Sequence, residues 1–150
     1  MTPTDDDRVT AIRARMAHDF QGALGEAREF AGQSPASLPA RKLLAFLLNF
    51  HKDLEGAIQV LRDARDMAPH DSEIVFNLGY CEMQRGQFDV AASHFGGSVG
   101  RTGGLTDCLL ALCEDWQGDS QTAAERMRRL TREQPGDPAA LYLLYRLGTS

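Results

Sequence analysis

The chain is short of positive charge. Its 16 Lys and Arg residues are outnumbered by 21 Asp and Glu, giving a net charge of −5 and a pI of about 5.3. No global basic field is available to attract nucleic acid or an anionic membrane surface, so neither is expected as a partner. Long apolar runs are also missing. No stretch approaches the roughly 20 apolar residues of a membrane span, and the N-terminal MTPTDDDR is acidic, so no signal peptide is visible. Cysteine is scarce: Cys81, Cys108 and Cys113 are odd in number and form no CxxC pair. A reducing, cytoplasmic setting is the expectation. Apolar residues are not scarce. At 43% of 150 residues they suffice for one domain with a continuous core and exclude a disordered chain.

The stretch from Ser72 to Val99 carries the clearest pattern. Its periodicity predicts two antiparallel helices hinged at Gly86, with Leu78 and Gly79 in the first and Phe88, Ala91 and Phe95 in the second. Gly79 and Ala91 are small, so the closest approach of the two helices is expected there. Val75-x2-Leu78-Gly79 followed by Ala91-x3-Phe95 resembles the tetratricopeptide repeat, whose pattern begins W-x2-L-G-x2-Y and continues A-x3-F. Val75 and Glu82 depart from the Trp and Tyr of that pattern.

Recurrence strengthens the resemblance. One period of about 34 residues earlier, Leu38 to Asp71 contains Leu44-Ala45, Ala57-x3-Leu61, Ala64 and a closing Pro69. Before that, Thr4 to Ser37 keeps Ala11, Phe20, Ala23 and Pro35 in register. After the central unit, Gly104 to Asp137 repeats Leu110-Ala111, Gly118, Ala123-x3-Met127, Leu130 and Pro135. Pro138 to Leu147 then begins another first helix, with Pro138 suited to the first helical position.

The resemblance implies an all-α fold, a right-handed superhelix of antiparallel helix pairs. Repeats fall at 4–37, 38–71, 72–103 and 104–137, with a capping helix at 138–147, in a single domain over 1–150. It also implies that the first helices line a concave groove. Carried onto this chain, the groove positions are Lys42, Phe46, Asn49 and Phe50 in the second repeat, and Phe76, Tyr80, Met83 and Gln84 in the third. Leu105, Cys108, Leu112, Asp115 and Trp116 follow in the fourth, with Cys108 expected to be accessible. Arg8, Ile12, Arg15 and Met16 give the first repeat a mixed, partly basic character. Aromatic and Met side chains are what a peptide-binding surface favours.

Catalytic chemistry finds no support. His18, His51, His70 and His94 pair with no Cys or carboxylate at ligand spacing, and no nucleophile–base pair can be assembled. No enzyme activity, metal or cofactor is expected. The glycine-rich segment Gly96 to Gly104 lacks the lysine, the leading glycine and the preceding strand of a phosphate loop, and is expected to join two repeats. Arg126, Arg128, Arg129 and Arg132 cluster near a helix C-terminus, where they suit the dipole.

Two functional classes follow. The first is an adaptor that binds a protein or peptide segment in an apolar, aromatic groove. The small size, acidic pI and apolar groove also resemble class II type III secretion chaperones. The second is a structural scaffold, homo-oligomeric through the C-terminal helix or supporting a larger complex.

Overall fold

The computed structural model describes residues 2–96 and 104–148; of the glycine-rich loop expected at Gly96 to Gly104, the end residues Gly96 and Gly104 belong to helices, and 97–103 lie outside the described residues. Among the described residues every regular element is an α-helix. In order they are α1 (Asp5–Met16), α2 (Phe20–Gln33), α3 (Leu38–Phe50), α4 (Leu54–Met67), α5 (Ser72–Gln84), α6 (Phe88–Gly96), α7 (Gly104–Trp116), α8 (Ser120–Glu133) and α9 (Pro138–Gly148). The all-α helical-repeat architecture is thus as the periodicity implied.

Short polar side chains start these helices. Thr4 and Asp7 form a reciprocal capping box at α1, each side chain accepting from the other's backbone N–H at 3.1 and 3.0 Å. Asp19, Asp53 and Asp119 open α2, α4 and α8 by accepting from the N–H groups of Gly22, Gly56 and Thr122. Ser37, Asp71 and Asp137 do the same for α3, α5 and α9. Each such cap typically contributes about 1 kcal/mol. Between the helices of a pair, Gly86 and Gly118 take φ of 80° and 92°. Lys52 adopts φ 67° at the corresponding turn, where a side chain is sterically disfavoured.

The chain divides into two compact units, Met1–Ile74 and Val75–Ser150, with the division inside the first turn of α5. In the N-terminal unit, Phe30, Leu43, Leu47, Ile58 and Leu61 are fully buried, with Ala23, Ala27, Ala40, Ala57 and Ala64 at 0% exposure where backbones approach. Ala23, Ala57 and Ala64 are small residues of the repeat pattern, whereas Ala27 stands where the pattern has a bulky side chain. They let the larger side chains interdigitate, each contributing about 1.5–3 kcal/mol on full burial.

The C-terminal unit has two apolar clusters. One joins Ala91 and Phe95 of α6 to Leu109, Leu110 and Cys113 of α7. The other joins Cys108 and Ala111 of α7 to Ala123, Met127 and Leu130 of α8 and to Ala140, Leu143 and Leu147 of α9. The expected pairing of Gly79 with Ala91 needs correction. A Cβ at Gly79 would stand 2.8 Å from Phe95 Cε1 and 3.2 Å from His94 Cβ, so the Phe95 ring fills the space above the glycine. Ala91 is buried, but Gly79 is kept clear for the ring one turn further along α6.

Candidate functional site

The large apolar side chains left exposed are concentrated on first helices. In the N-terminal unit, α3 leaves Phe46 45% and Phe50 64% exposed. They lie four residues apart on one helix face, opposite the buried Leu44–Leu47–Leu48 side. Phe50 packs tilted against Phe20 with centroids 5.2 Å apart, and Phe20 in turn stacks on His51 at 5.9 Å. The Arg13 guanidinium stands 5.2 Å over the Phe46 ring.

Two polar residues expected on this face are engaged or enclosed. Lys42 bonds Asp71 at 2.8 Å and Glu73 at 3.0 Å. Burial alone would lower the Lys42 pKa, but the bonds to these carboxylates outweigh it and hold the ammonium above its ordinary value. Lys42 therefore links α3 to the start of α5. Asn49 is half-buried, and its Oδ1 has no hydrogen-bond partner among the described residues.

The first repeat contributes less to such a face than expected. Ile12 is 2% exposed and belongs to the core. Arg8 lies 4.1 Å over Phe30 and donates to Gln33 at 3.1 Å. Arg15 bonds Asp19 at 2.7 Å and also pairs with Glu26. Its side chain crosses from α1 to α2, and Met16 is half-buried.

In the C-terminal unit, Phe76, Tyr80, Met83 and Leu112 are partly buried against the α6–α7 cluster. Phe76 meets Phe95 at 5.7 Å. Trp116 ends α7 half exposed and packs tilted against Phe88 at 4.8 Å, while Leu105 at the other end of α7 is 54% exposed. Cys108 departs from expectation. It is 4% exposed, enclosed by α8 and α9, and burial, with Asp137 and Asp107 nearby, pushes its thiol up to about 11. Cys81 and Cys113 are equally buried and likewise raised to about 11.

One recurrence was not visible in the linear sequence. Phe50 and Trp116 are each the thirteenth residue of their repeat, counted from Leu38 and Gly104. Phe20 and Phe88 are each the seventeenth residue of the preceding repeat, counted from Thr4 and Ser72. The tilted Phe20–Phe50 and Phe88–Trp116 ring pairs are therefore the same contact, built once in each unit. Each leaves a broad aromatic surface half uncovered at the end of a first helix.

The arginine cluster of α8 has a tertiary role as well. Arg126 holds Glu114 of α7 through two nitrogens, at 2.8 and 3.2 Å. It also stands 3.7 Å from Asp107, and Arg129 stands 3.6 Å from the same carboxylate. Asp107 Oδ1 is buried without a hydrogen bond among the described residues. Among those residues, no three His, Cys, Asp or Glu side chains gather as a metal site would require, and no helix is long and apolar enough to cross a membrane.

Residues 51–96 match the tetratricopeptide repeat family. No curated protein matches the sequence. Solved structures of similar fold include MamA from Desulfovibrio magneticus RS-1, 16% identical, with 95% of this chain and 85% of that one aligned at a TM-score of 0.82. A thermophilic tetratricopeptide repeat protein of Thermus thermophilus is 17% identical over 97% of this chain and 80% of its own, at 0.75. PilF of Pseudomonas aeruginosa is 15% identical over 95% and 67%, at 0.82. At these identities the likeness is one of fold.

Proposed function

Because the chain belongs to the tetratricopeptide repeat family, a protein–protein interaction fold that is generally non-catalytic, we propose that it is an adaptor whose first helices hold an apolar segment of a protein partner. The observation that carries this reading is the repeated tilted aromatic pair. Phe50 and Trp116 each pack on one side against Phe20 and Phe88 and stand at least half exposed on the other. A ring already immobilised loses little conformational entropy on binding, which is what makes aromatics effective anchors. Phe46 in the N-terminal unit, and Phe76, Tyr80, Met83 and Leu112 in the C-terminal unit, extend the apolar contact surface of each. Lys42 and Asn49 flank the N-terminal surface. A secretion-chaperone-like role is one form this reading takes.

Affinity capture from the native host, with Phe50→Ala and Trp116→Ala variants beside the wild type, tests the proposal. Each truncation should weaken partner capture by about 2 kcal/mol or more if the ring is an anchor. Binding should depend only weakly on salt, because the anchors are uncharged. Undiminished capture by both variants would defeat it.

A second reading has its own observation. Helix α9 leaves Leu141 45%, Tyr142 60% and Tyr145 70% exposed, so self-association as a scaffold through α9 is the alternative. Sedimentation of a Tyr142→Ala, Tyr145→Ala double variant decides it. A change in oligomeric state, with partner capture intact, would favour the scaffold.

A further inference from the structure

The exposed faces of α4 and α8 follow one plan with opposite charge. Both helices have 14 residues. The buried Ala57, Leu61 and Ala64 of α4 match the buried Ala123, Met127 and Leu130 of α8 in register. In that same register Asp63 of α4 matches Arg129 of α8, and Asp66 matches Arg132. All four residues are exposed. We propose that the α8 face of one copy of this chain docks on the α4 face of a second copy through these oppositely charged side chains. The inference goes beyond the adaptor reading, because it uses second helices, whereas Phe50 and Trp116 lie on the first helices α3 and α7.

Charge complementarity names the occupant. Helix α4 carries three carboxylates and two guanidiniums, and α8 carries four guanidiniums and two carboxylates. Residues three apart are neighbours on a helix surface. Asp63 and Asp66 therefore share one side of α4, as Arg129 and Arg132 share one side of α8. Laid antiparallel, the two faces bring Asp63 opposite Arg132 and Asp66 opposite Arg129 together.

These charges are available to a partner. Asp63 accepts from the Gln59 amide at 3.1 Å, which leaves its carboxylate charge uncompensated. Asp66, Arg128 and Arg132 have no ion pair or hydrogen bond among the described residues. The Arg129 side chain is 51% exposed and stands 3.6 Å from Asp107. Arg62, in register with Arg128, already has an interaction within the chain.

The net charge supplies a diagnostic. Two copies of −5 each repel at long range, and salt relieves that repulsion. Ion pairs between exposed faces respond in the opposite sense, because screening weakens them. The sign of the salt effect therefore separates this contact from association through an apolar surface.

Sedimentation velocity of the full chain over a concentration series tests the proposal. Between about 0.1 and about 1 M NaCl the Debye length falls from about 10 to about 3 Å. Self-association should weaken at least about tenfold over that range, the combined effect of a few exposed ion pairs. Two charge-reversed variants then identify the faces. Asp63→Arg with Asp66→Arg makes both faces basic, and Arg128→Asp with Arg132→Asp makes both acidic, with Arg129 left in place against Asp107. Each variant alone should be monomeric where the wild type associates, and an equal mixture of the two should associate again. Recovery in the mixture excludes misfolding as the cause of the loss, and the salt series needs no variant. A wild type that stays monomeric throughout would overturn the proposal. So would association that strengthens with salt, which would point to an apolar face such as that of α9. Wild-type association by either variant alone, or a mixture that stays monomeric, would overturn it too. Binding of poly-glutamate to a wild type that remains monomeric would assign the α8 face to a different acidic partner and overturn the second copy as occupant.

Discussion

Replacing Gly79 by alanine should destabilise the C-terminal unit, although the same exchange inside a helix ordinarily stabilises by about 1 kcal/mol. The added Cβ would meet Phe95 Cε1 at 2.8 Å and His94 Cβ at 3.2 Å, and real Cβ atoms essentially never come within 3.0 Å of a neighbour. The ring has little room to withdraw, since Phe95 is 0% exposed and lies 5.7 Å from the Phe76 ring. Overpacking of this kind costs about 1–3 kcal/mol. Against the gain in helix propensity, the net expectation is a loss of about 1 kcal/mol. Urea unfolding followed at Trp116, in the same unit, measures it. Gly25→Ala is the matched control. Gly25 lies inside α2 with nothing within 4 Å of a built Cβ, so its replacement should stabilise by about 1 kcal/mol, read by helical ellipticity. A Phe95→Leu background should relieve the Gly79→Ala loss, with a coupling of about 0.5–3 kcal/mol. Should Gly79→Ala gain stability as Gly25→Ala does, or should the two C-terminal changes simply add, the close contact over Gly79 would be refuted.

Other expectations follow from the same coordinates. Arg126→Met leaves Glu114, 13% exposed, without its hydrogen-bonded cation, and Asp107, 9% exposed, with Arg129 alone at 3.6 Å. It should destabilise by about 2–3 kcal/mol in urea unfolding, somewhat below the range for fully buried pairs, while exposed Arg128→Ala stays within about 0.5 kcal/mol. The three buried thiols, each raised to about 11, should resist a thiol reagent at about pH 8 in the native state and react fully in urea. Burial tends to raise the Asp71 pKa, but bonds from Lys42 and the Ile74 and Glu73 amides outweigh it and hold the carboxyl below its ordinary value. The stability it contributes is complete above the usual carboxylate pKa of about 3.9 and lost as pH falls through the lower folded value. Lys42→Met should flatten that acid limb of the stability profile, and an unchanged limb would count against the ion cluster.

The helices and turns were legible because periodicity and small residues report on one element at a time. Ala57, Leu61 and Ala64 of α4 and Ala123, Met127 and Leu130 of α8 recur at one spacing, and all six are buried. What needed coordinates was the relation between elements. The small-residue pattern marked Gly79 as a close approach, but not which atoms of α6 would use the space. Cys108 shares the groove positions that the resemblance assigned to Leu105 and Leu112, which suggested an accessible thiol, and the packing of α8 and α9 encloses it. Arg126 and Glu114 lie on different helices, so their pairing left no mark in local spacing. The tilted aromatic pairs escaped for the same reason, since each joins residues 30 or 28 positions apart, 20 to 50 and 88 to 116.

The aspartates that open α2, α4 and α8 stand at Asp19, Asp53 and Asp119, and the matching place before α6 is held by Gln87. Glutamine is not among the side chains that satisfy the first amides of a helix well. The first turn of α6 therefore starts without the aspartate that opens α2, α4 and α8. In native-state hydrogen exchange the amides of Asp89 and Val90 should trade with solvent ahead of their counterparts in α2, α4 and α8. Transient opening of the molecule would then begin at the N-terminus of α6, ahead of the better-capped helices.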